Sequence, residues 1–251
     1  MIITSLENEK VKKFKKLQQK KHRDEYNQFI VEGEHLVIEA YKSGLIQELI
    51  VLEDTEVKLP PIPYNYYGKE VMKKISTMET APTIMALCNK KMENGLRGSR
   101  FLILDGIQDP GNLGTIIRSA LAFNIDTIVL TENTVDLYNP KVLRATQGMF
   151  FHINIISMSG LEAITKMRRA GIPVYGTNVV DGYDASELTV DEKKKFALVM
   201  GNEGSGVREE LSRLCTKNLY IGMNEKVESL NVAIATSILL YELGRKRWKK
   251  Y

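Results

Sequence analysis

In the second half of the chain, short apolar runs alternate with segments of helical period, and that alternation leaves few folds open. FLILD (101–105), TIVL (127–130), PVYGTN (173–178) and FALVMGN (196–202) have strand length, while LGTIIRSALAF (113–123), LEAITKMRRAG (161–171) and LNVAIATSILLYELG (230–244) carry helical spacing. Strands separated by helices pair in parallel, because a parallel neighbour needs a long crossover connection. An α/β domain with a parallel sheet is therefore expected. Ser159 and Glu162 form an S-x-x-E capping box at the start of one helix, and Gly171 with Pro173 closes it.

The first half reads as a smaller α/β unit. In FIVEGEHLVIEAYKSGLIQELIVLED (29–54), a strand leads into a helix with Leu36, Val37, Ala40 and Tyr41 on its apolar side. Gly44 ends that helix, and a strand follows from about Glu48 to Leu52. Pro60, Pro61 and Pro63 interrupt regular structure before PYNYYG, KEVMKKIST and APTIMALCN, read as strand, helix and strand. The polar stretch NKKMENGLRGSR (89–100) has no periodicity and places a domain boundary, giving an accessory domain at 1–95 and a second domain at 100–251.

No apolar run reaches the ~20 residues of a membrane span, and no apolar core of a signal peptide follows the lysines at the start. Cys88 and Cys215 lie far apart. The chain is thus expected to be cytoplasmic, free of disulfides and without membrane contact. His22, His35 and His152 have no partners at metal spacing, so no metal is implied. Asp181, Asp184 and Glu187 read as solvated loop residues, and Met149, Phe150 and Phe151 as core.

The 35 basic and 31 acidic residues leave a net charge of only +4, but the charge is uneven. Eight basic residues, Lys10, Lys12, Lys13, Lys15, Lys16, Lys20, Lys21 and Arg23, crowd one stretch, and the chain finishes RKRWKKY (245–251). Two readings stay open: solvated helical faces, or contacts to RNA phosphates.

Three glycine-bearing turns follow strands: LDGIQDPGNLGTIIRSA (104–120), VMGNEGSGVREEL (199–211) and IGMNEKVESLNVAIATSILLYE (221–242). Such turns are where an α/β sheet collects ligands. Gly201, Gly204 and Gly206 are spaced G-x-x-G-x-G, the reverse of the dinucleotide order, and no G-x-x-x-x-G-K-[ST] occurs, which argues against dehydrogenases and P-loop NTPases.

In this order and spacing, the three stretches resemble motifs one, two and three of the SpoU/TrmH family of RNA ribose 2′-O-methyltransferases, within the SPOUT class. FIVEGEHLVIEA and ISTMETAPTIMAL resemble the family's ribosomal-protein-like accessory domain. The resemblance implies a SPOUT α/β domain closed by a deep trefoil knot, S-adenosylmethionine as cofactor, RNA as partner and a homodimer. General topology rules would not suggest a knot.

On a helix beginning near Asn112, steps of ~100° put Arg118 within about 40° of both Gly111 and Gly114, over a face cleared of side chains. The resemblance gives Arg118 and Asn112 the task of activating and positioning the 2′-hydroxyl, and makes Glu203 the acidic position of the second motif. A guanidinium donates hydrogen bonds and accepts none, so phosphate clamping and charge stabilisation suit Arg118 better than a base role. By the same resemblance, Ser229 and Asn231 line the methyl-transfer pocket, while Gly201, Ile221, Leu230 and Thr177 contact the cofactor. Ser229 also stands where an N-cap would, for a helix expected to start near Leu230 and to be buried on most sides. The implied reaction is methylation of a ribose 2′-oxygen in structured RNA, with ribosomal RNA favoured by the accessory domain. Transfer RNA, or a non-catalytic role in RNA binding or ribosome assembly, remain the alternatives.

Overall fold

The computed structural model describes residues 2–59, 61–178 and 182–244. Pro60, Asp181 and the basic tail at 245–251 lie outside the described residues. The chain forms two compact units, Met1–Met92 with Asp136–His152, and Glu93–Val135 with Ile153–Tyr251.

In the first unit, the chain runs through β1 (Ile2–Ile3), α1 (Glu9–Lys16), α2 (Lys20–Tyr26), β2 (Gln28–Glu32), α3 (Glu34–Lys42), β3 (Ile46–Leu52), β4 (Tyr64–Tyr67), α4 (Lys69–Ile75) and β5 (Ile84–Asn89). The strands form a mixed five-stranded sheet in the order β1-β4-β3-β5-β2. Val11 and Phe14 of α1, Tyr67 of β4, and Val71, Met72 and Ile75 of α4 share one core cluster. Asn8 caps α1 through its side chain, and Gly44, at φ +69°, lets the chain turn out of α3.

The basic stretch is not a uniform solvated face. Arg23 is 3% exposed; its Nη2 and Nε donate to Asp136 Oδ2 at 2.6 and 3.1 Å, and its Nη1 donates to the carbonyls of Leu17 and Gln18. Removing either partner would strand a buried charge, at a cost of about 3 kcal/mol.

The second unit continues with β6 (Arg100–Leu104), α5 (Pro110–Ala122) and β7 (Thr127–Leu130). Asp136–His152, including α6 (Pro140–Ala145), then returns to the first unit. Aromatic packing explains the return: Phe29 lies 4.8 Å from Tyr138 and 5.9 Å from Phe150, ring centre to ring centre. Phe150 and Phe151 are core residues, as their composition suggests, but of the first unit's core. The chain therefore crosses between units at Met92, within the polar stretch read as a boundary, and twice more around residues 136–152.

From there the second unit proceeds through β8 (Asn154–Ser157), α7 (Gly160–Arg169), β9 (Val174–Thr177), β10 (Tyr183–Asp184), β11 (Phe196–Met200), α8 (Glu209–Ser212), β12 (Lys217–Tyr220) and α9 (Val232–Gly244). Its seven strands lie in the order β10-β12-β9-β11-β6-β7-β8, every pairing parallel. Ser159 Oγ accepts from the Glu162 amide at 3.1 Å, so the expected cap of α7 forms. Because Leu104 pairs with Met200 and Thr177 with Leu219, the carboxyl ends of β6, β11, β9 and β12 finish together. The three glycine-bearing turns leave the sheet along that edge.

Helix α9 departs from expectation at its start and on its surface. It begins at Val232, with Asn231 rather than Ser229 as its cap: Asn231 Oδ1 accepts from the amides of Ala233 and Ile234 at 2.9 and 3.3 Å. Val232, Ala233, Thr236, Leu239, Leu240 and Leu243 are buried, but Ile234, Ile238 and Tyr241 are 54%, 41% and 50% exposed. Those three, at helical spacing, leave an apolar stripe uncovered.

Candidate active site

A cavity of about 540 Å³ opens where the strand ends converge, within the size range of small-molecule sites. Five segments of the second unit line it: Thr177 and Asn178 at and after the end of β9, Met200–Val207 after β11, Glu209 and Ser212 of α8, Leu219, Tyr220, Ile221 and Met223 around the end of β12, and Ser229 and Leu230 with Val232, Ala235 and Leu239 of α9. All four residues assigned to the cofactor from sequence, Thr177, Gly201, Ile221 and Leu230, are among the lining, as are Glu203 and Ser229. Apolar Ile221, Met223, Leu230 and Leu239 line this space together with the polar groups of the 201–206 loop, a mixed lining that fits a molecule carrying both an apolar ring and charge.

The loop after β11 is folded on itself. Asn202 and Gly206 exchange backbone hydrogen bonds at 3.0 and 2.9 Å, and Asn202 Oδ1 accepts from the Gly204 amide at 2.8 Å. A Cβ on Gly201 would fall 2.0 Å from the backbone of Gly206 and Val207. The space freed by this glycine is thus taken by the protein's own loop, which is why no side chain fits there.

Two tethers hold this loop to the turn after β6, and sequence reasoning found neither. Asn202 Nδ2 donates to the Gly106 carbonyl at 2.8 Å. At the far end, Arg208 gives its backbone amide to Asp105 Oδ2 at 3.0 Å and its guanidinium to Oδ1 at 2.8 and 2.9 Å. Asp105 is 2% exposed, and its Oδ1 also accepts from Thr131 at 3.0 Å. The Asp105 carboxylate in turn raises the Arg208 guanidinium above its ordinary pKa. An acid closing one strand and a base following a distant glycine loop make no local pattern, so nothing in the sequence marks the pair.

Of the five residues expected at the reaction centre, three form a chain. Asn231 Nδ2 donates to Asn112 Oδ1 at 2.9 Å, and Asn112 Nδ2 donates to Glu203 Oε1 at 2.9 Å. Asp109 caps α5 by accepting from the Asn112 amide at 2.8 Å, with Pro110 in the first turn, and so fixes where Asn112 emerges. Ser229 lines the cavity without joining this chain. Arg118 lies six residues further along α5, roughly 9 Å by helical rise. It is exposed, and among the described residues its side chain has neither a hydrogen bond nor an ion pair. Gly114, one turn before it, is buried.

Groups of three or more His, Cys, Asp or Glu placed to hold a metal ion are not found among the described residues. His22 and His152 instead pair with Glu25 and Glu39. Burial pushes the Cys215 thiol up to about 11 and the buried Cys88 thiol further still, so neither is poised as a nucleophile. No described helix is long and apolar enough to cross a membrane.

Residues 99–241 match the SpoU rRNA Methylase family, and residues 8–86 match the MRM3-like substrate binding domain. The chain belongs to the SpoU rRNA methylase family. It is 39% identical over 245 residues to the 23S rRNA (guanosine(2553)-2′-O)-methyltransferase RlmP of Bacillus subtilis, covering 96% of this chain and 98% of that protein. The structure of an AdoMet-bound rRNA methyltransferase from Sinorhizobium meliloti superposes with a TM-score of 0.87 at 30% identity over 99% of both chains. A putative RNA methyltransferase of the TrmH family from Porphyromonas gingivalis gives 0.86 at 32% identity over 96% of this chain and 99% of that one. The chain is accordingly an RNA 2′-O-methyltransferase of the SpoU/TrmH class that uses S-adenosylmethionine, with an N-terminal substrate-binding domain.

Proposed function

We propose that this enzyme methylates a ribose 2′-oxygen in large-subunit ribosomal RNA, as the name of its Bacillus subtilis relative indicates for that protein. The observation that carries the site assignment is that the second and third glycine-bearing turns line one cavity, while the first is joined to them through Asn112, which bonds Glu203 and Asn231 across 91 and 119 residues. Thr177, Gly201, Ile221 and Leu230 belong to the segments that would hold S-adenosylmethionine, Gly201 by letting the loop close and the others by lining the cavity. Bound there, the cofactor supplies a sulfonium methyl group.

The protein's own part is to orient the ribose and to stabilise charge as the hydroxyl proton leaves. Arg118, with no partner among the described residues, is free to grip the target's phosphate with two parallel hydrogen bonds and to stabilise a developing alkoxide. Asn112, Glu203 and Asn231 offer a preset array of polar groups, and Ser229 contributes a hydroxyl from the cavity wall.

Two structural features support finer parts of the reading. The uncovered stripe of Ile234, Ile238 and Tyr241 on α9 suits a second copy of the chain in a homodimer, and a monomer in sedimentation at working concentration would remove that element. Ser119 of α5 and Ser237 of α9 meet at 2.7 Å, so the chain returns after β12 to the helix that follows β6, a path consistent with the trefoil knot expected of the family. We further place the enzyme in the cytoplasm.

The deciding experiment incubates the protein with labelled S-adenosylmethionine and ribosomal or transfer RNA transcripts, then hydrolyses the RNA in alkali. A methylated 2′-oxygen cannot attack the neighbouring phosphate, so label should survive in an alkali-resistant dinucleotide from ribosomal RNA. Label in transfer RNA alone would move the substrate, and label in neither would favour a binding or assembly role.

A further inference from the structure

The amides at the edge of the cavity have no freedom in which way they point, and helix α9 sets the direction. Asn231 Oδ1 accepts from the backbone N–H groups of Ala233 and Ile234, which can only donate. Its other end is therefore the Nδ2 donor, which meets Asn112 Oδ1 at 2.9 Å. With its oxygen occupied, Asn112 must turn Nδ2 toward Glu203, and Glu203 Oε1 receives it at 2.9 Å. The Asn112 backbone, bonded to Asp109, places the residue but does not choose between the two orientations of its amide.

We propose that Asn231 is a positioning residue, which carries the polarity of the α9 N-terminus through Asn112 and so holds Glu203 as a hydrogen-bond acceptor beside the cavity. The proposal rests on the functional reading above only in taking that cavity as the cofactor site. Each link dictates the next, from fixed backbone donors to a carboxylate.

Substitution of Asn231 by Asp separates this role from helix capping. Aspartate caps a helix as well as asparagine does, so α9 keeps its first turn. The group facing Asn112 becomes an acceptor, however, and the single Asn112 amide then stands between two carboxylates and can satisfy one of them. A second change, Glu203→Gln, supplies a new donor: the glutamine amide can give to Asn112 Oδ1 while Asn112 Nδ2 gives to the aspartate, and the whole chain runs in reverse. Glu203→Gln alone should keep the hydrogen-bond chain, since a glutamine can present its oxygen to Asn112 Nδ2, and whatever it costs the site by itself is the reference for the double variant.

The test measures S-adenosylmethionine affinity by calorimetry, and melting temperature, on full-length wild type, both single variants and the double variant. Asn231→Asp should weaken cofactor binding about tenfold and lower the melting temperature by several degrees. Adding Glu203→Gln should bring both back to within about threefold and two degrees of Glu203→Gln alone, a coupling that independent sites do not show. Asn231→Asp behaving as wild type, or a double variant no better than Asn231→Asp, would overturn the proposal. Should wild type take up no cofactor, the functional reading falls, and coupling in the melting temperatures decides the polarity chain by itself.

Discussion

The basic stretch at residues 10–23 and the polar chain beside the cavity make an instructive pair, because folding disperses the first and gathers the second. Eight cations adjacent in sequence do not stay equivalent. Arg23 is buried against Asp136, Lys10 pairs with Glu48, Lys12 with Glu7 and Glu9, and Lys20 with Asp24. Lys13 sits over the Tyr26 ring, and Lys15, Lys16 and Lys21 have no ion pair among the described residues. Asn112, Glu203 and Asn231, spread over more than a hundred residues, finish in one chain of hydrogen bonds. Nearness along the chain is thus a poor guide to a site, and the ends of parallel strands are a better one.

The largest effect should come from Arg118, on the same helix as the gathered Asn112. Arg118→Ala is expected to lower kcat for methyl transfer by about 100-fold or more while S-adenosylmethionine affinity stays within about twofold, because the side chain has no structural partner to lose and does not line the cavity. Arg118→Lys keeps the charge and loses the planar fork, so it should fail nearly as badly. Near-normal turnover by the lysine variant, with binding and turnover measured on the same preparation, would end the bidentate-clamp account.

Parts of that region are open to view in the sequence, for reasons that differ residue by residue. Around the cavity, β9, β11 and α9 show in their periodicity while the four-residue α8 and β12 do not, and Ser159 with Glu162 marks the start of α7 to the residue. The start of α9 is misplaced by sequence reasoning because Ser229 and Asn231 are both good caps, two positions apart, and only the fold shows Asn231 bonded to the Ala233 and Ile234 amides at one end and to Asn112, across 119 residues, at the other. Periodicity shows Phe150 to be core but carries no sign of whose core, since Phe29 and Tyr138 must be brought to it by the fold. Asp105 and Arg208 form a pair only once β6 and β11 lie side by side.

The dispersed region predicts a more moderate effect, and a charge-matched swap tests it. Lys15, Lys16 and Lys21 changed together to Gln should flatten the salt dependence of RNA affinity by ~0.7 to 0.9 in log-log slope for each phosphate left without its lysine. Over a doubling of salt this is a change in affinity of several-fold. Lys10, Lys12 and Lys20 changed together to Gln remove the same charge from groups already paired, and their slope should stay that of wild type. Equal slopes for the two triple variants, whether both altered or both unaltered, would mean that pairing does not sort these lysines and that the comparison between regions is wrong.

The smallest effect belongs to Glu192, where local and distant contacts meet on one side chain. Its carboxylate accepts from Lys217 Nζ at 2.7 Å, brought by β12, and from the amide and hydroxyl of Thr189, three residues away, at 2.9 and 2.8 Å. Lys217 first, and the Thr189 amide next, draw its pKa down to about 2. A carboxylate depressed in this way adds stability above its unfolded value of ~4.3, and that stability is lost as the pH falls toward the folded value. With both side chains about a third exposed, the pair is worth ~1 kcal/mol at most after screening. Glu192→Gln should therefore melt about 2 to 4 °C below wild type at neutral pH. The gap should narrow as the pH drops below ~4.5 and close near pH 2, since wild type then also carries a neutral side chain there. A gap that stays constant down to pH 2 would assign the effect to packing and shape, and the fold-made ion pair would lose its part in it.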